Sequence, residues 1–287
     1  LQVHHIRERI LPGGYRLVIT VDCGISSHDA VQAAAAEGID VIITDHHLPS
    51  EHLPEAVAVI NPKREDCRAG LDHLAGVGMA FYLLIELRRQ LRARHFWQDR
   101  PEPNLKQFCS LVALGTIADM VPLIEENRAF IRAGLPSMTA RPGIKALMAA
   151  SRIDPDRVAS DDVAFRLAPR LNAAGRVAHA SLALRLLTTD NPRHAERMAR
   201  TLDRLNTRRQ QMEAGIVEQI QHRIQGQPDL LDRQALIMAE KSWHEGVLGI
   251  VAARLARQHA RPVILLAHNG SRVRGSARSV PGIDLYR

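Results

Sequence analysis

Near its start the chain has an apolar segment, a helix-like segment and a second apolar segment in direct succession, and this order allows few folds. YRLVITVD, from Tyr15 to Asp22, predicts a buried strand, and IDVIITD, ending at Asp45, predicts the next one. Between them, SSHDAVQAAAAEG has the Ser cap and Gly stop of a helix. Because such a crossover is almost always right-handed and makes its strands parallel, Asp22 and Asp45 should lie on one edge of a sheet.

The rest of the chain indicates an α/β fold with two domains. A third short strand, AVAVINP, is followed by mainly helical patterns, a long polar helix from Asn191 to Gly226, and a strand, a helix and a hairpin around Asn269-Gly270. We expect a parallel-sheet domain with helical additions over 1–190, a connecting helix over 191–226, and a second, smaller α/β domain over 227–287.

The charge balance favours a partner that carries phosphates. The chain has 38 lysines and arginines against 31 acidic residues, a formal net charge of +7. Aromatic residues make up only 3%, which argues against a surface that stacks many bases. In the long polar helix, five arginines recur on one face, which suits either a solvated face or a lane for nucleic acid: Arg193, Arg197, Arg200, Arg204 and Arg208.

Membrane and disulfide classes are not indicated. The apolar runs fall short of a membrane span and no signal peptide opens the chain, so we expect a cytoplasmic protein with no membrane partner. Cys23, Cys67 and Cys109 are odd in number, far apart and never in a CxxC pair. They predict small buried residues rather than disulfides or a zinc site.

The stretch VIITDHHLPS places a carboxylate and two histidines where a ligand of an open parallel sheet should bind. Carboxylates with imidazole suit Mn²⁺ or a similar ion, whereas an all-carboxylate set would suit Mg²⁺ better. Asp119 ends an apolar helical stretch and would add a third carboxylate. The alternative is that Asp45 caps the following turn and that His46 and His47 belong to an ordinary buried network.

A series of motifs along nearly the whole chain resembles the DHH phosphoesterase superfamily, and within it the 5′ to 3′ exonucleases specific for single-stranded DNA. WHEGVLGIVAARL and RGSARS are similar to the opening of the DHHA1 domain that follows the catalytic domain in this family. The other motifs are VDCGISSH, VIITDHHLP, INPKREDC, LAGVGMAFYLL, LVALGTIADMVPL, RPGIKAL and LAPRLNAAGR.

The resemblance implies roles for individual residues. It makes Asp22, His46 and Asp119 metal ligands, with Asp45 orienting the DHH loop and His47 placed toward the scissile phosphate. Residues near the metal site and the DNA backbone would be Arg170, Asn172 and Arg176, and those receiving the 5′-terminal phosphate would be Ser276 and Arg278.

The cofactor and partners follow from the same resemblance. Two Mn²⁺ or Mg²⁺ ions would lower the pKa of an attacking water and neutralise the leaving oxygen. The partners would be single-stranded DNA with a 5′-phosphate end and a single-strand-binding protein or a helicase.

The chain also departs from the family pattern. An upstream aspartate-rich motif that supplies further metal ligands should precede Leu1, and a glycine-glycine-histidine motif and an OB-fold should follow Arg287. We therefore expect the metal site to be incomplete and this chain alone to hydrolyse DNA poorly. RGSARS carries Ala277 where the family usually has glycine.

Two other functions remain open from the sequence. One is a DHH and DHHA1 phosphodiesterase that acts on short oligonucleotides or cyclic dinucleotides. The other is a catalytically inactive relative that binds single-stranded DNA or a replication partner.

Overall fold

A computed structural model describes residues 1–269 and 272–285 of the chain. These residues divide into two units. The first comprises Leu1–Arg141 and Asp154–Phe165, and the second comprises Pro142–Ile153 and the described residues from Arg166 onward. The family domains expected at 1–190, 191–226 and 227–287 divide the chain at other positions and stay a prediction.

The first unit is built on a parallel sheet with helices. Its elements, up to the first boundary, are α1 (Val3–His5), a π-helical turn (Ile6–Ile10), β1 (Leu17–Val21), α2 (His28–Ala36), β2 (Asp40–Thr44), β3 (Ala58–Ile60), α3 (Gly76–Ala93), a 3-10 turn (Leu105–Phe108), α4 (Cys109–Ala118), α5 (Glu125–Gly134) and a 3-10 turn (Leu135–Ala140). Helix α6 (Pro142–Ala150) belongs to the second unit, and α7 (Ser160–Asp162) returns to the first.

The strand order is β1-β2-β3, and both pairings are parallel. Val21 lies opposite Thr44, which in turn lies opposite Ile60, so the three strands end together. This arrangement confirms the predicted β-α-β unit and the α/β fold class.

Helix α2 forms and stops where the sequence indicates. Ser27 occupies its N-cap position, although the hydroxyl makes no capping hydrogen bond, and Gly38 leaves the helix with a φ of 67°. Its apolar face packs on the sheet in a core that contains Ile6, Ala30, Val31, Ala34, Ile39, Val41 and Ile43. This packing holds the strand ends in register.

The expectation that β1 is a buried strand is wrong. Leu17, Ile19 and Val21 point to one face by the period of two in a strand and are about half exposed, at 49%, 49% and 55%. Only its other face, with Val18 and Thr20, turns toward the core, and β1 is also an edge strand of the described sheet.

The second unit contains a smaller mixed sheet. After a π-helical turn (Val163–Leu167) at the unit boundary, its elements are α8 (Ala168–Val177), α9 (Ser181–Thr188), α10 (Pro192–Gly226), a 3-10 turn (Pro228–Leu231), β4 (Leu236–Glu240), α11 (Glu245–His259), β5 (Val263–Asn269) and β6 (Arg272–Arg278). Strands β4 and β5 are parallel, and β5 and β6 are antiparallel. The expected hairpin is therefore present, but Gly270 of its turn lies outside the described residues.

Helix α10 matches the long helix expected from the sequence. The Asn191 side chain accepts a hydrogen bond from the His194 N–H at 3.1 Å and caps it. Its later residues, with α11 and the second sheet, form a core that includes Ile216, Ile220, Leu236, Val247, Leu255 and Leu265. The five arginines of its stripe are all exposed, which fits both readings of that face.

All three cysteines are free. The expectation that they are buried is correct for Cys109 and wrong for Cys23, which is exposed beside the strand end, and Cys67 is only half-buried. Across the described residues, no helix combines the length and apolar character needed to cross a membrane.

Candidate metal centre

The strand ends of the first unit bring the DHH residues to the same place as Asp22. The Asp22 N–H donates to the Thr44 carbonyl at 2.9 Å, and the Thr44 hydroxyl donates to the Thr20 carbonyl at 2.8 Å. These bonds lock the end of β1 to the end of β2. Asp119 arrives from a different element, because it is the C-terminal cap of α4 and its N–H donates to Gly115 at 2.9 Å.

His46 lies between two carboxylates. Its Nε2 is 3.1 Å from Asp22 Oδ1 and 3.4 Å from Asp119 Oδ2, and the ring is buried. Asp22 and Asp119 keep 57% and 39% of their side chains exposed, so the cluster is open to solvent on the carboxylate side. The structure thus brings together the three ligands that the family resemblance implies.

The tautomer of His46 follows from its second nitrogen. Nδ1 lies 3.0 Å from the carbonyl of Leu74, which can only accept, so Nδ1 carries the proton. In the neutral ring Nε2 then presents a lone pair toward two oxygens that are also acceptors, and this buried atom has no hydrogen-bond partner. Three facing lone-pair donors of this kind fit a divalent cation, and a carbonyl that fixes the imidazole is the usual support for a metal-ligating histidine.

The electrostatics of Asp22 support the same assignment. Burial raises the pKa of Asp22 above its ordinary value, and repulsion from Asp119 adds to the rise, whereas His46 works in the opposite direction. Asp22 also sits in the left-handed region with a φ of 61°, a conformation that non-glycine residues hold at a cost and that often marks functional sites. A bound cation would favour the charged form of this carboxylate.

Asp45 is fully engaged within the DHH loop. One oxygen accepts from the N–H groups of His46 and His47 at 2.8 and 3.2 Å and pairs with His47 Nδ1 at 2.7 Å, and the other accepts from Ile25 N–H at 3.0 Å. Burial by itself would raise the pKa of Asp45, but these hydrogen bonds lower it below the ordinary value. These contacts hold the DHH loop in place. They agree with both interpretations of Asp45, as a cap of the turn and as the residue that orients the loop.

His47 lies at the mouth of the cluster. Its side chain is 60% exposed, and its ring centroid is 4.6 Å from that of His46. Because Nδ1 faces Asp45, Nε2 is the ring atom left for a substrate or a metal. Nitrogen or oxygen atoms of Asp22, His46 and His47 lie within 4.8 Å of one another.

Two supporting groups were missed by sequence reasoning. The Leu74 carbonyl that fixes His46 has no sequence signature. Gly76, at the start of α3, touches Asp22 so closely that an added Cβ would lie 2.2 Å from Asp22 Oδ1. A signal for Gly76 existed in the LAGVG segment, since two glycines in the first turn of a helix are unfavourable unless something requires close approach.

The residues expected to bind substrate lie in the second unit. Arg170 pairs with Asp203 at 2.8 Å and donates to the Arg166 carbonyl, so its guanidinium is already engaged, while Asn172 is exposed. Ser276 and Arg278 share a face of β6, because Ser276 Oγ and Arg278 Nη2 both lie 3.0 Å from where a Cβ on Gly249 would be.

A basic cluster forms beside that face. Burial lowers the pKa of Arg176 below its ordinary value, and the positive charges of Arg209 and Arg278 add to this effect, whereas Glu213 opposes it. Three guanidiniums held close enough to repel one another form a place where a phosphate would be stabilised.

Comparisons with known proteins point to one family. Residues 2–116 match the model of the DHH family, N-terminal domain. The single-stranded-DNA-specific exonuclease RecJ of Salmonella typhimurium is 43% identical over 281 residues, which cover 95% of this chain and 48% of that protein.

Solved structures give the same result. The crystal structure of RecJ in complex with Mn²⁺ from Thermus thermophilus matches with a TM-score of 0.81 and 34% identity, over 98% of this chain and 40% of that one. A crystal structure of exonuclease RecJ bound to manganese matches with a TM-score of 0.82 and 33% identity, over 100% of this chain and 68% of that one. This chain spans about half the length of the curated relatives it matches.

Proposed function

Because this chain belongs to the DHH family, with RecJ proteins among its relatives, we propose that it carries the catalytic site of a metal-dependent exonuclease that degrades single-stranded DNA from the 5′ end. The observation that carries the proposal is the position of His46, whose Nδ1 lies on the Leu74 carbonyl while Nε2 lies 3.1 Å from Asp22 Oδ1 and 3.4 Å from Asp119 Oδ2.

The proposed metal is Mn²⁺, with Mg²⁺ as the second choice. An imidazole among carboxylates favours manganese, and relatives have been crystallised with each ion. Asp22, His46 and Asp119 would hold the ion, and further ligands would be needed for two ions. When bound, divalent ions supply the charge that activates water and stabilises the leaving oxygen of a phosphodiester.

The protein groups around the ion have separate tasks in this proposal. Asp45 fixes the DHH loop through four hydrogen bonds, so that His46 keeps its orientation without reorganisation. His47, paired with Asp45 through Nδ1, would present Nε2 to the scissile phosphate, and in the doubly protonated ring Nε2–H would donate a hydrogen bond or a proton to it.

Recognition of the DNA end is assigned to the second unit. Ser276, Arg278 and Arg176 offer a hydroxyl and two guanidiniums for a terminal phosphate dianion. Arg170 would act mainly by holding α8 to α10 through Asp203, and Asn172 would contact the DNA backbone. We also propose that the protein acts on DNA in the cytoplasm, where a single-strand-binding protein or a helicase would present the substrate.

The test combines metal binding with substrate choice. Mn²⁺ should bind this chain with an affinity that His46→Ala and Asp22→Asn both reduce, measured by calorimetry. Nuclease activity should be assayed in this chain and, where the gene encodes a longer protein, in that protein. Digestion of long 5′-phosphorylated single strands in preference to dinucleotides supports the proposal. Preference for dinucleotides or cyclic dinucleotides would indicate a different phosphodiesterase activity in place of the proposed one. Unchanged Mn²⁺ affinity in both His46→Ala and Asp22→Asn would refute the metal centre.

A further inference from the structure

A buried asparagine links the supports of two proposed metal ligands. Asn127, in the first turns of α5, is fully buried, and its side-chain amide donates to the carbonyl of His73 at 2.7 Å and to the carbonyl of Pro122 at 2.8 Å. Both N–H groups of one amide therefore hold backbone from two segments that are 49 positions apart in the numbering of the chain.

The first segment supports His46 and meets Asp22. His73 precedes Leu74, whose carbonyl receives the His46 Nδ1 proton at 3.0 Å. Two residues further on, Gly76 packs directly against the Asp22 carboxylate. Leu74 and Ala75 are buried, so this stretch of backbone has little freedom to adjust by itself.

The second segment carries Asp119. Pro122 follows Asp119 by three residues, after α4 has ended and after Met120 has taken a φ of 59°. The two hydrogen bonds from Asn127 to the carbonyls of Pro122 and His73 tie the chain after Asp119 to the chain that supports His46.

The Asn127 side chain contributes through the two N–H groups of its amide. The Oδ1 atom of Asn127 is buried without a hydrogen-bond partner, which is unfavourable, and an apolar residue would avoid it. The position instead uses a group that can donate to two carbonyls at once, which among side chains requires an amide or a cation.

We propose that Asn127 is a positioning residue that sets the separation of Asp119 from His46 and Asp22, and so tunes the affinity of the metal centre. The inference rests on the proposed function, because it takes these three residues as metal ligands. A second contact holds the same segment through the side chain of His73, whose Nε2 lies 2.9 Å from Glu126 Oε2. It acts on the ring of His73, whereas Asn127 acts on the backbone next to Leu74.

The test is a Mn²⁺ titration by calorimetry, with the electron paramagnetic resonance spectrum of the bound ion as a second readout. Asn127→Ala should weaken Mn²⁺ binding about tenfold, at the low end of the range for residues that orient metal ligands. Its spectrum should change because the ligand geometry relaxes. If Asn127→Ala does not fold, Asn127→Ser takes its place, because it keeps a polar group and leaves space for a water, and it should show the same direction of change.

The matched control is Asn206→Ala, which removes another buried asparagine, in the second unit, where its oxygen accepts from Arg209. It should lower thermal stability without changing Mn²⁺ affinity. His46→Ala tests the metal centre itself, independently of the positioning role of Asn127. If His46→Ala abolishes binding and both Asn127 variants bind Mn²⁺ with wild-type affinity and spectrum, the positioning role is wrong and the metal centre stands. If His46→Ala leaves binding unchanged, the proposed function and this inference fail together.

Discussion

Replacing Gly76 by alanine should weaken Mn²⁺ binding without unfolding the protein. An added Cβ would lie 2.2 Å from Asp22 Oδ1 and 2.6 Å from Asp22 Cβ and Cγ. Because non-bonded heavy atoms rest at about 3.5 Å, the carboxylate would have to move by about 1 Å. Metal sites tolerate ligand displacements of only about 0.2 Å, so this movement removes most of the contribution of Asp22.

The expected loss is about 10- to 100-fold in affinity, which corresponds to about 1.4–2.8 kcal/mol. Gly78→Ala is the matched control, because Gly78 lies two residues further along the first turn of α3 and its added Cβ would have its nearest neighbour at 3.4 Å. Since alanine is about 1 kcal/mol more favourable than glycine in a helix, Gly78→Ala should bind Mn²⁺ normally and unfold at a slightly higher temperature.

Calorimetric titration and thermal denaturation of the three proteins provide the assay. Wild-type affinity in Gly76→Ala, with its fold intact, would show that Asp22 is not a ligand in the position seen here. Equal losses in Gly76→Ala and Gly78→Ala would trace the effect to α3 as a whole and refute the steric argument.

Three further predictions concern catalysis and DNA. His47→Ala should reduce turnover about 100-fold or more while changing Mn²⁺ affinity little, as single-turnover kinetics would show; a parallel fall in affinity would make His47 a ligand instead. Arg278→Ala should weaken binding of 5′-phosphorylated single strands about ten- to a hundredfold and 5′-hydroxyl strands much less, in a fluorescence assay where equal losses would indicate a general backbone contact. If the α10 stripe binds DNA, Arg204→Ala should lower the slope of log affinity against log salt by about 0.7, and an unchanged slope would leave the stripe a solvated face.

The sequence was most informative where regular elements fix direction. The pattern around α2 was enough to place Asp22 and Asp45 at adjacent strand ends, because a parallel crossover leaves little choice of geometry. The exposed side of β1 could not be foreseen, since an apolar edge strand and an apolar central strand have the same composition. The difference depends on what lies beside the strand.

The support of the metal centre was the least predictable part. His46 is held by a backbone carbonyl, which every residue possesses, so Leu74 gives no signal in the sequence. Asn127 is 81 positions from His46 in the numbering of the chain, and its importance depends on which two carbonyls it reaches. Such contacts arise from tertiary packing and not from local periodicity.

The half-exposed face of β1 has a practical consequence for handling the protein. Leu17, Ile19 and Val21 form an apolar ladder on a strand whose outer edge has no partner strand among the described residues. Edges of this kind template aggregation through main-chain pairing, and a charged side chain on the edge is the usual remedy. We expect light scattering at high concentration to rise with time for the wild-type chain and to be suppressed by Ile19→Lys, which leaves the buried Thr20 and the metal centre in place.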